Sequence, residues 1–316
     1  MYKFYKNKLN GIEEIDVDEI EKGSWINVVA PSPEELLELQ ELTGVSRDFL
    51  TAALDDEEKS RMEIDDNQLL VLIDIPLLRS TNDYDTIPLG IITTKEYTIT
   101  VCLEVNAVLA DIARPDQKVI KTFKRTRFLF QILFRSATLY LRYIRNINSR
   151  TDELEMHLRK SMDNKELLDL LDVQKSFTFF SASLRSNYVV TEKLLRLRTS
   201  KQAMQLVKLY EEDEDLLDDV IIEYKQAIEM VEMYTAILNS MMGVFASIIN
   251  NNMNLVMKFL AGMTIVLAIP TLLSGLWGMN VPVPFTDNPY GFFIVAASAT
   301  IIASVFAYVL WREKMF

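Results

Sequence analysis

The densest chemical signal in the sequence is the turn Gly278-Met279-Asn280, which closes a long uncharged run. Behind it a row of residues advances in alternating steps of four and three: Asn250, Asn254, Met257, Ala261, Thr264, Ala268, Thr271, Gly275 and Gly278. A period near 3.5 is that of a helix face meeting copies of itself around an axis. The row is small or weakly polar, whereas its neighbours Leu260, Ile265, Leu267, Leu272 and Leu276 are large and apolar. Two readings stand side by side. Small residues commonly line packed membrane helices, and neutral oxygens with small side chains also suit a path for a hydrated cation. The amides of Asn250 and Asn254 tilt toward the second. A separate concentration of carboxylates runs Glu211-Glu212-Asp213-Glu214-Asp215 and then Asp218-Asp219. Most of its members read as a solvated helix start favoured by the helix dipole.

Other chemistries are excluded by what is missing. The formal net charge of −12 argues against nucleic acid as a partner. There is no glycine-rich phosphate loop ending in Lys and Ser or Thr, so ATP is not indicated. His157 and Cys102 are the only residues of their kinds, so a zinc or copper cluster of the usual composition is not available. No catalytic constellation is visible and an enzyme is not expected. No Asp, Glu, Lys or Arg lies within the uncharged stretches, where a proton relay would need one. A divalent cation does not need such a relay. Two charges gain about 4.6 kcal/mol per 100 mV of membrane potential, over three decades of accumulation.

These residues require elements to hold them. After Lys258 only Asp287 interrupts an uncharged run that lasts to Arg312. Phe259 to Leu276 and Tyr290 to Trp311 are each close to the ~20 residues that cross a hydrocarbon core in a helix. Lys258 precedes the first span, Arg312 and Lys314 follow the second, and the connection has no Lys or Arg. The positive-inside rule then puts both ends in the cytoplasm and the Gly278-Met279-Asn280 turn outside. Trp277, Tyr290, Tyr308 and Trp311 fall near the interfaces, as aromatic belts do. A lone cysteine and the absence of an apolar leader core in the first 21 residues agree with a cytoplasmic N-terminal part.

The fold class is therefore an α+β membrane protein with three parts: a cytoplasmic α/β domain over 1–115, a helical stalk over 116–256 and a transmembrane hairpin over 257–316, with spans at about 257–277 and 290–311. In the first part, Ser24 to Val29 reads as a strand. Ser32, Pro33 and Glu35 form a helix start with a capping box, Leu36, Leu37, Leu39 and Leu42 give its apolar face, and Gly44 ends it. A second short helix starts after Ser46. Leu69 to Leu78 and Ile91 to Cys102 read as strands. Beyond Asp116 the pattern is helical: Phe128, Ile132, Ala137, Leu141, Ile144 and Ile147 recur on one face, Asp163-Asn164 and Thr199-Ser200 mark boundaries, and the last stalk helix runs without a break into the first span. Pro270, inside that span, either bends it or frees a carbonyl toward the seam. His157 reads as exposed and Cys102 as core. The basic run Lys121 to Arg127 reads as a solvated face or as a contact for the acidic helices.

Met257-Lys258-Phe259-Leu260, Ile269-Pro270-Thr271 and Gly275-Leu276-Trp277-Gly278-Met279-Asn280, ahead of a C-terminal span, together with Trp25-Ile26-Asn27-Val28, resemble the CorA magnesium transporter family. The resemblance covers nearly the whole chain. It implies a homopentameric funnel in the membrane lipid, a central pore lined by the first span, and Mg²⁺ as the main ion with Co²⁺ and Ni²⁺ accepted. It implies that Asn280 and Gly278 hold the hydrated ion at the outer mouth, that Asn254, Met257 and Thr271 line the path, and that Leu260 forms an apolar constriction with Met257. It also implies a regulatory Mg²⁺ site between cytoplasmic domains, with Asp219, and beside it Asp215 and Asp218, on the stalk side. The acidic partner position in the N-terminal domain falls on Thr51-Ala52, with Asp55-Asp56-Glu57-Glu58 a few residues on. Gly243 stands where some members carry a carboxylate ring. A zinc-transporting branch of the same superfamily and a non-conducting membrane-anchored scaffold or sensor are the alternatives. The intact Met279 opposes the first, and Asn280 with the polar seam opposes the second.

Overall fold

The computed structural model describes residues 1–8, 11–65, 67–81, 83–115, 117, 119–161, 164–197, 210–285 and 288–313. In chain order the elements are β1 (Tyr2–Lys8), β2 (Gly11–Ile15), β3 (Trp25–Val29), α1 (Pro33–Thr43), α2 (Arg47–Thr51), β4 (Arg61–Asp65), β5 (Gln68–Ser80), β6 (Asp83–Thr93), β7 (Thr98–Cys102), α3 (Ala107–Ile112), α4 (Arg125–Ser161), α5 (Asn164–Arg196), α6 (Glu211–Trp277) and α7 (Gly291–Arg312). The chain divides into two compact units, Met1–Leu238 and Asn239–Phe316.

The first unit is built on a seven-stranded sheet of order β2-β1-β3-β7-β6-β5-β4. All pairs are antiparallel except β3 with β7. The central strands are buried on both faces, which is why they read as continuous apolar runs. Leu70 and Leu72 join Ile26, Val28, Ile99 and Val101 in a core under Leu36, Leu39, Phe49 and Leu50 of α1 and α2. The alternate residues Leu69, Val71 and Ile73 are equally buried and belong to the opposite face. There Trp25 meets Phe128 of α4 edge-on at 5.4 Å, and Tyr84 meets Phe180 of α5 at 6.2 Å.

The start of α1 is as its sequence requires. Ser32 Oγ accepts from Glu35 N at 3.2 Å, Glu35 Oε2 accepts from Ser32 N at 2.9 Å, and Gly44 closes the helix at φ 66°. Its apolar face is narrower than expected: Leu36 and Leu39 are buried, while Leu37 and Leu42 are exposed.

One expected strand is corrected. Ile91 to Cys102 is not one strand, because β6 ends at Thr93 and β7 begins at Thr98. The Thr94 hydroxyl accepts from the Glu96 and Tyr97 amides at 3.2 and 2.9 Å, which turns the chain inside a β-prone run. The charged opening residues form an edge hairpin, with Lys3–Glu14 and Lys8–Glu13 pairs at 2.9 and 3.2 Å across it and Phe4 and Ile15 turned inward. Pro270 does not interrupt α6. The expected boundaries at Asp163 and at Thr199-Ser200 lie outside the described residues. Cys102 is buried at the end of β7 and His157 is exposed, as expected.

Candidate functional site

In the second unit the part of α6 after Lys258 and α7 up to Arg312 form two uncharged helical spans. Both are long and apolar enough to cross a membrane and are almost unburied within the chain. Each span has one covered stripe. On α6 it is Gly262, Val266, Ile269, Pro270, Leu273 and Trp277, and on α7 Gly291, Val295, Ala299, Ala303, Ala307 and Leu310. The stripes meet at the turn end, where the Trp277 ring lies against Gly291, and most of their other positions are half-buried. The predicted seam of Asn254, Met257, Ala261, Thr264, Ala268, Thr271 and Gly275 is exposed at every position. At 3.6 residues per turn its mean direction is roughly 200° from the covered stripe. The small, weakly polar face thus points away from the second span, and Leu260 beside it is exposed as well.

Local hydrogen bonds refine that face. Thr264 Oγ1 donates to Leu260 O at 2.8 Å and Thr271 Oγ1 donates to Leu267 O at 3.0 Å. Both hydroxyl protons are spent on the helix itself, leaving lone pairs as the outward function. The carbonyl deprived of a donor by Pro270 is that of Val266. Val266 and Pro270 both sit on the covered stripe, so the expectation that this carbonyl opens onto the seam is not met.

At the end of the seam Gly278 N donates to Ser274 O at 2.9 Å, and Met279 and Asn280 follow, exposed. The returning chain is fastened to the helix end. Trp277 Nε1 donates to Pro284 O at 2.9 Å, and a β-carbon at Gly291 would lie 3.3 Å from the Trp277 ring and would collide with Phe285 O. Phe285 itself adopts φ 70°, a left-handed conformation that costs a bulky residue roughly 1–2 kcal/mol. Trp277, read from sequence as an interface residue, therefore also ties the turn. Only the spacing of Trp277, Pro284 and Gly291 hinted at it.

The acidic run divides by environment. Asp213 is buried at the start of α6, where its carboxylate faces Tyr210 N at 3.4 Å and Arg127 at 3.6 Å. Glu212 pairs with Arg127 at 2.9 Å, so the basic run does contact an acidic helix. A cavity of about 700 Å³ lined by Phe123, Lys124, Arg127, Tyr210 and Glu212 adjoins this pair. Asp215, Asp218 and Asp219 are exposed on the helix surface. Among the described residues of one chain, no three His, Cys, Asp or Glu side chains converge on a point where a metal could sit. At the head position Thr51 turns its hydroxyl to Arg47 O at 3.1 Å, Ala52 is buried, and Glu58 pairs with Arg61.

A mixed sheet flanked by helices, followed by a helix that becomes the first of two uncharged spans, gives the chain the architecture of a two-span membrane protein. Residues 21–313 match the family described as CorA-like Mg2+ transporter protein. The chain belongs to the CorA family. It is 29% identical over 299 residues to the cobalt/magnesium transport protein CorA of Methanocaldococcus jannaschii, covering 92% of this chain and 90% of that protein. The complete structure of the CorA magnesium transporter from the same organism superposes with a TM-score of 0.83 at 26% identity, over 98% of this chain and 96% of that one. The full-length CmaX protein shares the fold, with a TM-score of 0.72 at 17% identity over 100% and 98% of the two chains.

Proposed function

We propose that the chain conducts Mg²⁺, and Co²⁺ with it, passively down the membrane potential through a pore on the axis of a homopentamer, with both termini in the cytoplasm. The observation that carries this reading is the direction of the seam. The face with lone pairs and small side chains is the one the second span leaves free, so five copies of α6 can meet along it while α7 faces lipid. The relative's printed name, a cobalt/magnesium transport protein, supports the choice of ion.

In this mechanism the hydrated ion is selected at the outer turn, where five Asn280 amides and the Gly278 carbonyls bond its water shell. Mg²⁺ surrenders water reluctantly, so neutral oxygens that bond the shell bind without having to strip it. The ion then passes Gly275, Thr271, Ala268, Thr264 and Ala261. Met257 and Leu260 form an apolar constriction that closes by dewetting, and Asn254 receives the ion below it. Asp215, Asp218 and Asp219 give the cytoplasmic stalk an exposed acidic face for a neighbouring subunit. No transport step is routed through that face. The functional division follows 1–115, 116–256 and 257–316.

The test is ion flux into proteoliposomes with Mg²⁺, Co²⁺ and Zn²⁺, comparing wild type with Asn280→Ala. The reading expects Mg²⁺ and Co²⁺ flux in wild type and a loss of at least tenfold in the variant. Flux indifferent to Asn280 would remove the filter, and no flux of any ion would favour a non-conducting sensor.

A further inference from the structure

We propose that Trp277 is the positioning residue of the outer turn, holding Gly278-Met279-Asn280 in place through its indole N–H. This rests on the reading of that turn as the ion-selecting mouth. The three residues hang between two fixed points. One is the end of α6, where Gly278 N is bonded to Ser274 O. The other is Pro284, whose carbonyl accepts from Trp277 Nε1 at 2.9 Å. A single side chain, one residue ahead of the turn, thus closes the loop that carries it.

The return limb is gripped from its other side as well. Phe285 is held at φ 70°, and its carbonyl accepts from Asn288 N at 3.2 Å. Asn288 O accepts in turn from Gly291 N at 2.9 Å. The same Phe285 carbonyl, with the Trp277 ring, fills the space where a side chain at residue 291 would begin. Pro282 and Pro284 add fixed φ angles and have no N–H to donate. The indole N–H bond joins this limb to the helix end. An octahedral hydrated ion tolerates little misplacement of the oxygens that bond its waters, so releasing the limb should loosen ion selection before it harms the fold.

The experiment compares wild type, Trp277→Phe, Gly291→Ala and Asn280→Ala in proteoliposomes, measuring half-saturating Mg²⁺, maximal flux per folded channel and the Mg²⁺ to Co²⁺ preference. Trp277→Phe removes the donor together with the Cζ2–Cη2 edge of the indole that lies against Gly291, so it releases the limb, and Gly291→Ala is the control that disturbs the packing alone. A neutral hydrogen bond contributes about a factor of 3–10, so half-saturating Mg²⁺ should rise by about that factor and the ion preference should narrow, with maximal flux per folded channel within twofold of wild type. Gly291→Ala pushes the same limb while keeping the indole, and should shift half-saturation in the same direction. If Trp277→Phe lowers only the yield or thermal stability of assembled protein, with half-saturation and preference unchanged, the residue is merely structural and the proposal is overturned. It is overturned equally if Asn280→Ala shifts half-saturation and neither Trp277→Phe nor Gly291→Ala does. If Asn280→Ala itself leaves half-saturation unmoved, the reading of the mouth fails, and the proposal with it.

Discussion

Truncating Asn187 to Ala should open the head at one identifiable place. β4 pairs only with Gln68 to Leu72 of β5, so beyond Leu72 the outer edge of β5 has no neighbouring strand. Asn187, fully buried on α5, takes the place of one. Its Nδ2 donates to Asp74 O at 2.6 Å and its Oδ1 accepts from Asp74 N at 2.9 Å. Pro76, two residues on, needs no partner on that side because it has no N–H. In Asn187→Ala the Asp74 carbonyl keeps the Tyr140 hydroxyl at 3.1 Å. Half-buried Ser60, which donates to Asn187 Oδ1 at 3.0 Å, can turn to water. The Asp74 amide keeps nothing. One orphaned buried donor costs about 1–3 kcal/mol and the cavity adds roughly 1, so the expected loss is about 3 kcal/mol. Hydrogen exchange of β5 peptides, read by mass spectrometry on the detergent-solubilised chain, should quicken by roughly a hundredfold. Tyr140→Phe alone should cost about 1 kcal/mol, and the double variant more than the sum, because the carbonyl is then orphaned too. Exchange on β5 within threefold of wild type in Asn187→Ala would refute the idea that this side chain closes the sheet edge.

Asp74 also gives a pH prediction. Burial raises its pKa, and the Ser183 and Ser60 hydroxyls that face it pull only partly the other way. A folded-state pKa above the unfolded one favours the protonated head, so its stabilising effect is present at low pH and is lost as pH rises through the folded pKa. Asp74→Asn should therefore be more stable than wild type at pH 7, with the difference in melting temperature shrinking toward pH 4; a difference that is constant or reversed would contradict it. Cys102 is pushed up to about 11 by burial. At pH 8 roughly a thousandth is thiolate, so a thiol reagent should label it only after denaturation, and prompt labelling of the folded protein would contradict its place in the core.

Much of this was legible because it is local. The capping box at Ser32 and Glu35, the buried run of β5 and the unbroken last helix each depend on residues within a few positions. The seam was legible for the same reason, since a period of 3.5 needs no tertiary information. What was hidden depended on partners distant in sequence or on competing signals. The Thr94 turn lies inside a Thr- and Ile-rich run whose β-propensity masks it. β1 is rich in Lys, yet its Lys–Glu pairs with β2 are an edge-strand device that leaves Phe4 inward. The Asn187 clasp joins residues 113 apart in sequence. The lock of Trp277, Pro284 and Gly291 exists only once the hairpin closes. Which face of the first span the second span covers was likewise not in the sequence, and it is what gives the seam a direction.

That direction is the central claim, and cysteine scanning across α6 tests it most directly, with buried Cys102 as a silent background. Single cysteines are placed along the span in reconstituted channels, and flux is measured before and after a water-soluble thiol reagent. The account predicts block at Met257, Ala261, Thr264, Ala268, Thr271 and Gly275, and none at Gly262, Val266, Ile269 or Leu273. Block on the covered stripe, or block with no helical period, would contradict it.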